Sequence, residues 1–460
     1  MERSVPLWLV LLLGLVGFVL TVGFGAVVLV TQRGSSTFGA LGQAAVAMAA
    51  FPSQARDTLR DLWYRTRERD SDYLTVRQFP APDLEGFRPL AQAPGLGLDP
   101  PLVRADPARL PRGHRILVGV FRFTDGHANA ALLLDPELKV IKTWKLIPSA
   151  GDDHPTPIAR RLVHEVDFLP ADGSFVYNVT PSAGLIRHDA CGKVIWSIPG
   201  EYHHAITLDE DRRTAWATFD REVTQLHQVD MATGRVVRRL PFMAIAQANP
   251  EIEIWRVRTT NAEQLVGIRN NRGKPFKWFP DPFHTNDADP LPRALAAAFP
   301  MFAPGDLVLS NRELNQLVVI DPETRKVKWW HAGDWDHQHD PDWLPDGTIA
   351  VFDNRARLGG YSRIVTIDPA TRTVRVPVDG RKIGFYSLAR GKMEPTPSGG
   401  FLVASAFQGR IFETDRDGRV VFDLWNPRGD DPALMFMTTQ AFFFPEGRLD
   451  WSRWPCKPVS

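Results

Sequence analysis

The chain is poor in cysteine, in net charge and, at its start, in charge of either sign. Only Cys191 and Cys456 occur among 460 residues. A thiolate metal site uses three or four ligands, so two cysteines exclude one and leave room for a single disulfide. With 54 basic and 53 acidic residues the net charge is +1, which speaks against a nucleic-acid partner. Charged side chains are missing altogether from Ser4 to Gln32. The run Val5–Val30 within that gap is rich in Leu, Val and Gly. At ~1.5 Å per residue it exceeds the ~30 Å hydrocarbon core of a bilayer. A transmembrane anchor is therefore expected over residues 1–33, touching membrane lipid through residues 5–30. The rival is a cleaved signal peptide, whose apolar core is normally shorter, ~7–15 residues. Small residues near Ala44–Ala50 supply a site for such cleavage. The short N-terminal tail favours a single pass through the inner membrane, with the body on the periplasmic or extracytoplasmic side.

What the chain has in plenty is turn formers and tryptophan: 38 Pro, 35 Gly and 14 Trp. This suits a turn-rich all-β protein better than a helical one. Residues 34–112 read as a juxtamembrane helix, Ser53–Asp72, followed by an arm from Phe79 to Arg112 with eight prolines. From Gly113 to the C-terminus a repeat appears, in which an apolar strand ends in Asp, a turn follows and a β-branched strand continues. Its Asp residues are 135, 189, 230, 321, 368 and 415. Asp with Pro or Gly initiates such turns, so each copy is the outer hairpin of a blade. The spacings are 54, 41, 91, 47 and 47 residues, and four of them match one propeller blade of ~40–50 residues. The long one holds a blade plus an insertion, about 243–283, expected to contribute a lid. The expected fold is thus a six-bladed β-propeller over 113–460, preceded by one transmembrane helix and a stalk. Ala441-Phe442-Phe443-Phe444 is the candidate strand for closing the ring on the first blade. A seventh blade hidden in the insertion is the competing count.

The inner edges repeat more weakly. His164-Glu-Val-Asp167, His203-His204, His284-Thr-Asn286-Asp287 and Gln338-His339-Asp340-Pro-Asp342 occupy equivalent places, and Lys392-Met393-Glu394 holds that place in the last blade. Equivalent positions of a ring converge on its axis, so imidazoles far apart in sequence are expected to share one pocket.

His284-x-Asn286, Ser310-x-Arg312, Gln338-His339-Asp340, Pro345-Asp-Gly347 and Phe352-Asp-Asn354 together resemble the membrane-anchored branch of the bacterial arylsulfotransferases. The resemblance covers most of Gly113–Trp425. It implies an exported six-bladed propeller that moves a sulfuryl group from a phenolic sulfate donor to a phenol acceptor, using no 3′-phosphoadenosine donor and no other cofactor. It implies that His339 is transiently sulfated, and it matches His284 and Arg312 to further catalytic positions. The remaining histidine matches His204, with His203 or His164 as alternatives. The sequence departs from the family at Ala205, where relatives carry Asp, and at Met393, where they often carry His.

The chemistry suits these residues. A neutral imidazole attacks a flat, oxygen-rich group and then leaves it, splitting one displacement into two. Arg312 offers planar donors to sulfate oxygens. His284 or His204 titrates near neutrality and serves a departing phenolate, while Asp340 or Asn286 holds a neighbouring tautomer. His337 with His339, and His203 with His204, also resemble metal pairs, but no acidic or thiol set completes a site, so no metal is expected. Trp329, Trp330, Trp335 and Trp343 either stack a substrate or pack between blades. The rival to an enzyme is a non-catalytic, membrane-tethered propeller that docks onto a membrane-protein partner.

Overall fold

The computed structural model describes residues 7–32, 37–49, 74–78, 80–146, 161–180, 184–221, 223–256, 283–429 and 431–459. The chain divides into two units, Met1–Ser71 and Asp72–Ser460. In the first, helix α1 (Leu7–Gln32) contains a stretch, Leu11–Thr31, long and apolar enough to cross a membrane, and none of that stretch is buried by the protein. A shorter apolar helix, α2, spans Gly39–Ala49. The amphipathic helix expected over Ser53–Asp72 falls outside the described residues.

The second unit holds six blades of antiparallel strands. Blade 2 runs outward from Leu162–Leu169 through Ser174–Thr180 and Leu185–His188 to Val194–Ile198. Blades 3, 4, 5 and 6 start at the inner strands Tyr202–Leu208, Thr285–Pro290, His339–Trp343 and Lys392–Pro395 and repeat that order. Blade 1 is built from both ends of the unit: the C-terminal strand Thr438–Pro445 lies innermost and pairs with Gly113–Phe123. The expected closing segment is where it was placed, with Ala441 opposite Leu117 and Phe444 opposite His114.

The repeated aspartates make the outer hairpins for a visible reason. Asp135 Oδ1 accepts the backbone N–H of Glu137 and Lys139 at 3.1 and 2.7 Å. Asp189 does the same for Cys191 and Lys193, Asp321 for Glu323 and Thr324, and Asp415 for Asp417 and Arg419. Each side chain thus supplies the acceptor that the turn's own backbone lacks. Between blades, apolar faces interdigitate. Trp329, Trp335 and Trp343 are buried with Phe299 and Val351 between blades 4 and 5, so three of the four tryptophans weighed as stacking platforms belong to the core.

The proline-rich segment is stitched onto the ring. Leu102–Ala105 pairs with the outer strand Val420–Trp425 of blade 6, Arg88–Pro89 adds a further strand, and Leu98–Asp99 pairs with Gly113–Phe123. The insertion after blade 3 opens with helix α3 (Phe242–Ala248), whose Phe242 stacks on Phe283 at 4.2 Å. Both rings and Trp255 are buried against blades 3 and 4. The lid expected over 243–283 is described only where it packs as core; residues 257–282 lie outside the described residues.

Closure is reinforced at two junctions. Between blades 1 and 6, Arg115 and Glu413 form a fully buried ion pair at 2.7 Å. Beyond the last strand, Trp454 is buried against Trp144 and Phe168, and Cys456 is bonded to Cys191 in the outer turn of blade 2. That disulfide spans 265 residues, so it removes much unfolded-chain freedom. Replacing both cysteines by serine should cost about 2–5 kcal/mol, read as a lower urea midpoint that no longer responds to reductant.

Candidate active site

The inner strands place the polar residues because they are irregular. The register shifts between Val163 and Val166, between Tyr202 and Ile206, between Thr285 and Asp287, between His339 and Asp342, and between Thr438 and Gln440. Of the six inner strands, only that of blade 6 pairs without a shift. Such bulges bend a strand and re-aim side chains. The backbone pays for this locally. His204, His284, His337, Asp340 and Arg390 all have left-handed φ, between 47° and 60°, a region that residues other than glycine seldom adopt and that clusters at functional sites.

The result is a nest of imidazoles at one end of the channel. His204 Nε2 and His284 Nε2 share a hydrogen bond of 2.7 Å. The ring of His164 stands 4.5 Å from that of His204, and His203 stands 3.9 Å from it. His339 closes the group, 6.1 Å from His204 centre to centre. Its Nδ1 lies 2.7 Å from Asn354 Oδ1. A carbonyl oxygen only accepts, so Nδ1 carries the hydrogen and the lone pair is left on Nε2. That Nε2 is buried and has no hydrogen-bond partner. Burial, followed by the positive charge of Arg312, pushes the His339 imidazole well below its usual range. Burial does the same to His204 and His164, so these rings are neutral at neutral pH. Arg312, the fourth residue singled out from sequence, is half-buried and held by Glu313 Oε1 at 2.6 Å.

Roles among the neighbours differ from those expected. Asp340 does not hold a histidine tautomer; it accepts from Lys392 Nζ at 2.8 Å and from the Met393 amide. Asn286 donates to Gln338 O at 2.8 Å and so fixes the strand that carries His339, not its ring. The ring's partner is Asn354. Met393 and Ala205 both face the packed interior between blades, so neither departure from the family's pattern opens a hole in the pocket.

Beneath the histidines lies a buried ionic layer that the sequence reading passed over. Lys392 Nζ sits 2.8 Å from Asp287, 2.8 Å from Asp340 and 3.2 Å from Glu165. Burial opposes the Lys392 charge, but the three carboxylates outweigh it and hold its pKa well above the usual value. Burial raises Glu165 to about 7 and Asp340 to about 6, with Lys392 resisting in both cases. One step along the same strands stand Asp167, Asp289, Asp342 and Glu394, all raised by burial, Glu394 to about 8. The signal was in the sequence as an acid-x-acid alternation at 165/167, 287/289 and 340/342, with Lys392 standing in for the first acid in blade 6.

Buried, neutral His164, His204 and His339 thus gather near Arg312 in a six-bladed propeller. One comparison with known proteins identifies the family. The family model described as Arylsulfotransferase (ASST) matches residues 184–427. That is over half of the chain, and the protein belongs to the arylsulfotransferase family. No curated protein matches significantly. Similar solved structures include a protein of unknown function from Bacteroides caccae (12% identity, 73% of this chain and 100% of that one, TM-score 0.46). Another is the Dos1 propeller (10% identity, 77% and 79%, TM-score 0.37). A third is virginiamycin B lyase from Staphylococcus aureus (9% identity, 58% and 71%, TM-score 0.34). These likenesses carry no functional weight.

Lys392→Met tests the ionic layer. Breaking a buried ion pair from one side costs about 3–5 kcal/mol. Without Lys392 the Glu165 and Asp340 carboxyls have folded pKa values further above their unfolded ones. The groups then stabilise the fold below about pH 4 and lose that contribution as pH rises through the folded values. The urea midpoint of the variant should therefore fall further behind wild type at pH 8 than at pH 5.

Proposed function

We propose that this protein is a membrane-anchored aryl sulfotransferase acting outside the cytoplasm. It moves a sulfuryl group from a phenolic sulfate ester to a phenol through a transiently sulfated His339. The observation that carries this reading is the lone pair on His339 Nε2: buried, without a protein partner, and fixed in its tautomer by Asn354.

In the first half-reaction Nε2 attacks sulfur and the bond from sulfur to the donor oxygen breaks. Arg312 lies close enough for its charge to act on His339, which suits a guanidinium that holds sulfate oxygens while charge builds on the leaving oxygen. The departing phenolate takes a proton from His284, which enters the cycle protonated and paired with the neutral His204. In the second half the acceptor phenol returns a proton to that pair, its oxygen attacks sulfur, and the N–S bond breaks. The proton count closes over one turnover. Nδ1 of His339 keeps its hydrogen throughout, on Asn354. Exposed apolar side chains on α1 and a disulfide joining the C-terminal tail to blade 2 support an anchored protein in an oxidising, extracytoplasmic compartment.

Incubating the detergent-solubilised protein with a ³⁵S-labelled aryl sulfate and no acceptor should leave acid-labile label on the chain, which added phenol discharges. His339→Ala should take none; label on that variant would overturn the assignment. Asn354→Ala should slow labelling by about 10²-fold or more, as when a catalytic ring loses the partner that sets its tautomer, while the final extent stays the same.

A further inference from the structure

Three of the histidines have a second property that sulfuryl transfer does not use. His164, His203 and His204 each offer one ring nitrogen, and these atoms lie within 4.8 Å of one another. Nδ1 of His164 and Nδ1 of His204 are both buried and have no hydrogen-bond partner, in rings that are 5% and 3% exposed. An orphaned polar atom in a dry site costs free energy, and a ligand that uses its lone pair removes that cost. Water would satisfy one such atom. Two of them in rings packed with a third imidazole, with His164 and His203 centred 5.3 Å apart and His203 and His204 3.9 Å apart, match what a metal ion asks for.

From this we propose that His164, His203 and His204 bind a divalent transition-metal ion of the zinc class, a site separate from the sulfuryl acceptor His339. Three imidazoles suit Zn²⁺ or Co²⁺, whereas Mg²⁺ and Ca²⁺ want oxygen. Zn–N bonds of ~2.0–2.1 Å require the nitrogens to draw in by small ring rotations. Glu165 Oε1 stands 3.9 Å from His164 Nδ1 and offers a carboxylate at the edge of the set. It also offsets the Arg390 guanidinium, whose charge acts on His164. Bound at Nδ1 of His204, the ion would place that ring's hydrogen on Nε2. This sets the direction of the 2.7 Å bond to His284: His204 donates, His284 accepts, and the mobile proton of the transfer cycle resides on His284. The metal would act through His204 as a tautomer lock.

The test uses the full chain without any polyhistidine tag, in detergent, after chelator treatment and dialysis. Titration with CoCl₂ should give visible ligand-field absorption that saturates at one equivalent and is erased by ZnCl₂. His164→Ala and His203→Ala should each lose it, and His339→Ala should keep it. Absence of stoichiometric cobalt absorption in the wild type, or its persistence in both ligand variants, overturns the site. Should His164→Ala fail to fold, as judged by its urea transition, His203→Ala decides alone, since that ring is only partly buried. The ³⁵S label separates the two readings: label without a cobalt spectrum overturns the metal site and leaves the transferase standing, and a cobalt spectrum without label does the reverse.

Discussion

Everything at this site depends on the ring being shut. A β-propeller has no hydrophobic core at its centre; its apolar packing lies between blades, and its axis is lined by whatever the inner strands present. That arrangement is stable only if the first and last blades meet, and here they do so through backbone pairing of Thr438–Pro445 with Gly113–Phe123. A buried arginine–glutamate pair and the Cys191–Cys456 bond seal the same seam and its neighbour. Once the circle closes, His164, His204, His284 and His339 become contacts or near neighbours, although 175 residues separate the first from the last.

Closing a ring around polar residues creates an electrostatic problem, and the protein solves it in layers. In the histidine cluster, burial keeps His164, His204 and His339 neutral. Below them Lys392 satisfies three carboxylates at once. Below that, carboxyl groups pushed up by burial hold their protons. Charge at the histidine layer is therefore low, and Arg312 and Arg390 bring positive charge beside His339 and His164. The left-handed backbone at His204, His284 and Asp340 belongs to the same economy: irregular strands aim side chains inward at a local conformational cost, and the packed blades on either side bear it.

Much of this was legible in the primary structure. The Asp-led turns announced the outer hairpins, because an aspartate that caps its own turn does so through contacts within four residues. Their spacing announced the blades, the uncharged run announced the apolar helix, and the four aligned histidines announced a shared pocket. Other features escaped because their cause is long-range. Asn354 looked like one member of a strand-end motif; its hold on His339 exists only because the second strand of blade 5 folds back alongside the first. Lys392 looked like an ordinary strand residue until three other blades delivered their carboxylates to it. Nothing in the insertion's pattern indicated that Trp255 and Phe283 at its two edges pack with Phe242 as core.

By itself, then, the sequence determined the periodic parts: turn chemistry, strand alternation, blade number and the apolar helix, all set by interactions between residues close in the chain. The tertiary structure alone decided which polar residues touch. Register shifts of a residue or two in the inner strands determine whether a histidine faces the axis or the blade interface, and pattern does not specify those shifts. The choice of Asn354 over Asp340 or Asn286 as the partner of His339, and the gathering of His164 with His203 and His204, follow from strand bending and ring closure, which are properties of the assembled circle rather than of any segment of it.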